Sequence, residues 1–182
     1  MIPAVMTDLP TDVLFIGGRS GVGKTSVAAE IGRQLVEADI WHALIEGDYM
    51  GQAHPEPWRQ GIPLVERNLS AMWRNYRDLG YHRLIYTNTA SVLNMDSLTS
   101  ALGGDVTRTG ILLTASDDAA AERLTRREIG SGLGHHLEAS RRAAAQLVAT
   151  APEQVHRIPT DARSVTAIAS EILSLTTWLD AR

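Results

Sequence analysis

The densest chemistry in the 182-residue chain lies in Gly18-Arg19-Ser20-Gly21-Val22-Gly23-Lys24-Thr25. Glycines at Gly18, Gly21 and Gly23 let the backbone bend tightly and turn successive N–H groups toward one anion. Lys24 adds a point charge suited to bridging the β- and γ-phosphates of a nucleoside triphosphate, and Thr25 a hydroxyl suited to ligating magnesium. This is the Walker A pattern, and its backbone cradle takes in Ser20, Val22 and Ser26 as well. The chemistry it serves is phosphate binding and phosphoryl transfer, where catalysis consists of positioning and charge stabilisation.

Further candidates lie downstream. Asp48 closes Glu46-Gly47-Asp48, directly after an apolar run. A carboxylate there can accept a hydroxyl proton or hold a magnesium-bound water, which makes Thr25 and Asp48 the metal candidates; a turn or cap is the competing role for Asp48. His54, Trp58, Arg59 and Arg67 offer an aromatic wall and cations for a small polar or anionic acceptor. The same residue types also pack into cores or face water. Asn88, flanked by Thr87 and Thr89, can hydrogen-bond a substrate or close a strand-end turn. Arg123, Arg126 and Arg127 stand three and four apart, so at least two guanidiniums can converge on one anion; a surface helix salt-bridged to Glu122 and Glu128 is the alternative. Arg141 and Arg142 are weaker candidates of the same kind. His135 and His136 are adjacent and lack a carboxylate at ligand spacing, which argues against a histidine metal site.

These residues need a frame that brings them to one edge. Short apolar runs alternate with helical patterns along the whole chain, the signature of an α/β domain with a parallel sheet covered on both faces. Five strands are readable: Val13 to Ile16, Trp41 to Ile45, Leu84 to Tyr86, Ile111 to Leu113 and Val155 to Ile158. Helical spacing of apolar residues follows at Val27, Ile31 and Leu35, and finally at Val165, Ile168, Ile172 and Leu175. Ser116, before Asp117 and Asp118, reads as a helix cap, and Asp161 as the cap of the last helix. A single domain, 1–182, is expected, with an acceptor region over 48–80 and a lid segment over 123–142. Gly130, Gly132 and Gly134 make Ile129 to His136 the stretch expected to be most mobile.

Composition narrows the function classes. The chain has no cysteine, which removes disulfides, thiol nucleophiles and thiolate metal sites. A net charge of -4 disfavours a broad nucleic-acid or anionic-membrane footprint, and no apolar run is long enough to span a bilayer. A cytoplasmic protein is expected, and four tryptophans leave room for a homodimer face. No Asn-Lys-x-Asp tetrad is present to read guanine. The third run ends in Tyr86-Thr87-Asn88-Thr89 instead of the acid of a Walker B strand, which argues against a mechanical ATPase.

Taken together, the Walker A segment and Glu46-Gly47-Asp48 resemble the small-molecule kinases of the P-loop family, especially gluconate kinase, shikimate kinase and adenylyl-sulfate kinase. His54-Pro55 with Gly61-Ile62-Pro63-Leu64 is similar to a gluconate kinase stretch, and Val65-Glu66-Arg67-Asn68 to an adenylyl-sulfate kinase segment. Glu122 to Glu128 resembles the Arg-Leu-x-x-Arg that begins the lid of adenylate-kinase-like enzymes, and Thr160-Asp161-Ala162-Arg163 their adenine-contacting loop. The resemblance implies a three-layer P-loop NTPase fold with strand order 2-3-1-4-5 and a small lid. It implies ATP and Mg2+ as cofactors, with γ-phosphate transfer to the hydroxyl of a small molecule and neither nucleic acid nor membrane as partner. Lys24, Asp48, Arg126 and Arg127 would be catalytic, and Arg123, Thr160 and Asp161 would hold adenine. Two rival readings stand beside it. One is an ATP-binding regulator or adaptor without turnover, encouraged by the missing Walker B acid; the other is a nucleic-acid end kinase, which the acidic balance disfavours.

Overall fold

The structure is a computed structural model, described here over residues 9–127 and 133–180. Its centre is strand β1 (Thr11–Gly17), in which Val13, Leu14, Phe15 and Ile16 are all fully buried. A strand apolar on both faces must be covered on both, and helices do this. In chain order follow α1 (Lys24–Glu37), β2 (Ala43–Glu46), α2 (Leu64–Asp78), β3 (Arg83–Thr87), α3 (Met95–Leu102), β4 (Val106–Thr114), α4 (Asp117–Arg127), α5 (Leu133–Thr150), β5 (His156–Pro159) and α6 (Val165–Ser174). Short 3₁₀ turns at Pro57–Gln60 and Ser91–Leu93 precede α2 and α3.

All four strand pairings are parallel, and the order is β2-β3-β1-β4-β5, as the resemblance implies. Side chains alternate across β1. Leu14 and Ile16 pack with Val27, Ile31 and Leu35 of α1 and with Ile168 and Ile172 of α6; Val13 and Phe15 pack with Leu69 and Trp73 of α2 and with Leu98 of α3. Register brings the strand ends level, with Thr87 opposite both Ile16 and Glu46. The carboxyl ends of β2, β3 and β1 therefore share one edge, where an open parallel sheet presents its ligands.

All five expected strands form, with shifted ends. β2 begins at Ala43 and not at Trp41, whose ring packs against Tyr81 at a centroid separation of 5.6 Å. β4 begins at Val106, well before its apolar run, because Thr107, Arg108 and Thr109 pair with Asp12, Val13 and Leu14. Backbone pairing alone carries that polar half. In α6 the buried stripe is Ile168, Ala169, Ile172 and Leu173, while Val165 and Leu175 face outward. The cap of α6 is Ser164, whose hydroxyl accepts from the Ala167 amide at 3.1 Å. Asp161, expected in that role, instead accepts from the Ser116 amide at 2.8 Å and ties the β5–α6 connection to the end of β4. Ser116 caps α4 as expected, accepting from the Ala119 amide at 3.3 Å. Of the stretch Ile129 to His136, residues Ile129 to Gly132 lie outside the described residues, and Gly134 falls within α5. Among the described residues no helix is long and apolar enough to cross a membrane.

Candidate active site

The glycine loop leaves β1 and enters α1 through three positive-φ glycines, Gly18 at 142°, Gly21 at 83° and Gly23 at 103°. A Cβ on Gly18 would lie 2.7 Å from the Leu113 carbonyl oxygen, and one on Gly21 2.7 Å from that of Ala120. The loop is thus wedged against β4 and α4. A Cβ on Gly23 would meet nothing within 4 Å, so there the backbone angle alone calls for glycine. Gly23 is also the N-cap of α1, and neither a capping side chain nor an acidic residue occupies the first turn. The helix start therefore offers its amides and positive dipole end to an anion.

Lys24 curls back over the loop. Its Nζ donates to the Gly18 carbonyl at 3.0 Å and to the Thr89 hydroxyl at 3.4 Å, and stands 3.7 Å from Asp48 Oδ2. Asp48 is held in turn by the Thr89 amide, which donates to Oδ1 at 2.8 Å. Thr25 donates its hydroxyl to Glu46 Oε2 at 3.2 Å, and Glu46 Oε1 accepts from the Asp48 amide at 3.3 Å. The result is a hydroxyl and two carboxylates beside the loop. Magnesium uses one or two carboxylates and completes its shell with phosphate oxygens and water, so this all-oxygen set fits it. No group of three or more His, Cys, Asp or Glu able to hold a metal by protein ligands alone occurs among the described residues. Gly21, Gly23, Lys24, Thr25, Glu46 and Asp48 line a cleft of about 480 Å³.

Two arginines anchor this cleft from outside. Arg19 is buried, donates from Nε to the Ser140 hydroxyl at 2.9 Å and pairs with Asp117. The Ser140 hydroxyl in turn donates to the Ser20 carbonyl at 2.9 Å, so α4 and α5 clamp the loop. The Arg19 guanidinium holds the Asp117 carboxyl below its ordinary pKa. Arg123 donates to the Val22 carbonyl at 3.3 Å and to the Thr160 hydroxyl and carbonyl at 2.9 and 3.1 Å, joining the loop to the β5–α6 connection. Arg126 does not converge with it: its guanidinium is exposed and pairs with Glu122 at 2.6 Å. The side chain of Arg127 lies outside the described residues.

A second cleft of about 380 Å³ is lined by Trp58, Ile62, Glu66, Tyr86, Asn88 and Leu98 among others. Of the expected acceptor residues, Trp58 and Asn88 line it, and Asn88 also closes the strand-end turn by accepting from the Ala90 amide at 2.9 Å. His54, Arg59 and Arg67 do not. All three are exposed, and Arg59 pairs with Glu56 at 3.1 Å. Sequence reasoning passed over Arg19, Glu46, Glu66, Tyr86, Thr89 and Ser140. Glu46 and Thr89 had a signal in their place beside Asp48 and Asn88; Tyr86, inside an apolar run, read as core.

No protein-family model matches the chain, and no curated protein matches its sequence. Solved structures do. A gluconokinase from Sinorhizobium meliloti 1021 superposes with a TM-score of 0.58 at 19% identity, covering 91% of this chain and 90% of that one. The tunicamycin resistance protein of Deinococcus radiodurans gives 0.58 at 21% identity, covering 91% and 95%. The APS kinase of Mycobacterium tuberculosis, in complex with AMPPNP and APS, gives 0.52 at 19%, covering 92% and 98%. At such identities the likeness establishes architecture: the chain has the three-layer P-loop NTPase fold, and its structural neighbours include small-molecule kinases.

Proposed function

We propose that the chain is an ATP-dependent phosphotransferase that moves the γ-phosphate of Mg-ATP to a hydroxyl of a small molecule. The observation that carries this reading is the 3.7 Å approach of Lys24 Nζ to Asp48 Oδ2, both lining the glycine-loop cleft. A phosphate-binding cation and a proton-accepting carboxylate meet where donor and acceptor would meet. The kinase neighbours, one of them holding AMPPNP, support nucleotide as the donor. ATP is favoured over GTP by the absent guanine tetrad, and an ATP requirement goes with a cytoplasmic location.

In this reading the loop amides and the start of α1 hold the phosphate chain, with Lys24 neutralising it. Thr25, Glu46 and Asp48 would hold magnesium, which supplies charge neutralisation at the phosphoryl oxygens when bound. Asp48 takes the acceptor's hydroxyl proton as the new P–O bond forms and the bond from the γ-phosphorus to the bridging oxygen breaks, releasing ADP. Fixing Asp48 through the Thr89 amide sets the direction of that proton transfer. Arg123, with Thr160 and Asp161 beside it, would border the adenine. The acid missing from the end of β3 is no obstacle here, because two carboxylates come from the end of β2.

The test is magnesium-dependent ATP consumption against sugar acids, aminoglycosides and other antibiotics, nucleosides and adenylyl sulfate, with Lys24→Ala and Asp48→Ala alongside. Turnover on one acceptor, lost in both variants, is expected. Tight ATP binding with no stimulated turnover on any acceptor would favour the regulator instead.

A further inference from the structure

The second cleft carries a charge pattern that bears on the acceptor. Its lining includes the Glu66 carboxylate and the polar groups of Tyr86, Asn88 and Asn94, beside the apolar surfaces of Trp58 and Leu98. No Lys, Arg or His lines it among the described residues. The cations nearby in sequence are turned elsewhere, with Arg67 exposed and Arg59 on Glu56. The start of α2 borders the cleft, but Glu66 sits in its first turn and offsets the dipole an anion would seek.

Tyr86 adds an independent sign of a ligand. The residue is fully buried, yet its hydroxyl has no hydrogen-bond partner. That hydroxyl occupies the space a Cβ on Gly47 would need, which sets it against the Glu46-Gly47-Asp48 turn, and Tyr86 is part of the cleft's lining. A buried hydroxyl without a partner costs free energy that phenylalanine would avoid, so its presence calls for a partner that arrives with the substrate. Burial first, and then Asp48, Glu66 and Glu46, push the phenol's pKa up, so it stays protonated and able to donate. Glu66, the carboxylate in the cleft's own lining, would repel an acceptor carrying its own anion.

We propose that this cleft takes an uncharged or cationic hydroxyl compound with an apolar or aromatic body, its polar head between Tyr86 and Glu66 and its apolar part against Trp58 and Leu98. Carboxylate, phosphate and sulfate acceptors are disfavoured. The identification of this molecule as the phosphate acceptor rests on the kinase reading, whereas the charge preference of the cleft does not.

Three probes of one skeleton separate the charges: phenylalaninol as the cation, phenylpropanediol as the neutral compound and phenyllactate as the anion. Each is titrated into the full chain to the millimolar range where fragment-sized ligands bind, following the Trp58 indole N–H resonance, assigned with Trp58→Phe. Phenylalaninol and phenylpropanediol are expected to shift it, and phenyllactate to bind at least about tenfold more weakly. Glu66→Gln should weaken phenylalaninol by about tenfold while changing the neutral diol by less than about twofold. Tyr86→Phe, which keeps the ring in the core, should weaken both by about fivefold. Phenyllactate binding as tightly as the other two would overturn the proposal, and so would a failure of all three to move the signal. AMPPNP with magnesium is titrated in the same samples. Loss of nucleotide binding would sink the kinase reading and leave the charge preference standing.

Discussion

Asp48 has an electrostatic surrounding fixed on three sides: Thr89 donates to Oδ1 at 2.8 Å, Lys24 approaches Oδ2 to 3.7 Å, and its own amide is held by Glu46 at 3.3 Å. Asp48→Asn keeps an oxygen for the Thr89 amide and removes the proton acceptor. On an acceptor that the wild type turns over, kcat is expected to fall by about 10²- to 10⁴-fold, with ATP affinity changed only a few-fold. A rise in KM with kcat intact would remove Asp48 from the chemistry. Arg19 and Asp117 make a different prediction. Asp117 titrates below its ordinary value of 3.8, first because Arg19 hydrogen-bonds it. A depressed folded-state pKa gives stability that is present above 3.8 and lost as the pH falls through the lower, folded value. Asp117→Asn should therefore lower Tm at neutral pH by an amount that shrinks in acid, as wild type protonates the same group. A Tm difference independent of pH would place the Arg19 anchor elsewhere.

Among elements, the glycine loop separates two demands that the Walker A pattern merges. Gly21 is left-handed and its Cβ would strike the Ala120 carbonyl, whereas Gly23 is left-handed with open space beside it. Backbone strain of about 1 to 3 kcal/mol applies to both. Only Gly21→Ala adds a clash with α4. Gly21→Ala is expected to lose the greater stability in urea unfolding, while Gly23→Ala unfolds closer to wild type and loses nucleotide affinity because the first amides of α1 turn away. Equal stability losses would mean that α4 yields to the added methyl. This loop was legible in the sequence because its chemistry is local, a spacing of glycines ahead of Lys-Thr after an apolar run. The second cleft was not, because it depends on the way α2 faces. Neighbouring helical residues point about 100° apart, so Glu66 can line the cleft while Arg67 faces water. Residue type pointed to Arg67, and orientation chose Glu66. The polar start of β4 was hidden for a related reason, since its pairing with β1 leaves no apolar trace.

At the scale of the whole molecule, the glycine loop is held by nearly every layer. The Gly18 amide donates to the Thr89 carbonyl beyond β3 at 3.1 Å, Arg19 joins α4 and α5, and Arg123 ties Val22 to Thr160 after β5. A ligand gripping this loop therefore grips a seat that the unfolded chain does not possess, and its binding energy adds to global stability. At a concentration about 100 times Kd that amounts to about 2.7 kcal/mol. For a domain of this size the corresponding rise in Tm is about 5 to 10 °C. Mg-ATP should produce that rise in the wild type without any acceptor, and Lys24→Ala should lose most of it, since the buried ammonium is the charge the phosphates would engage. The comparison separates nucleotide binding from turnover before any acceptor is known. A wild type indifferent to Mg-ATP would leave the Walker A fold without its nucleotide, and an equal rise in Lys24→Ala would move the binding energy away from Lys24 to the loop amides.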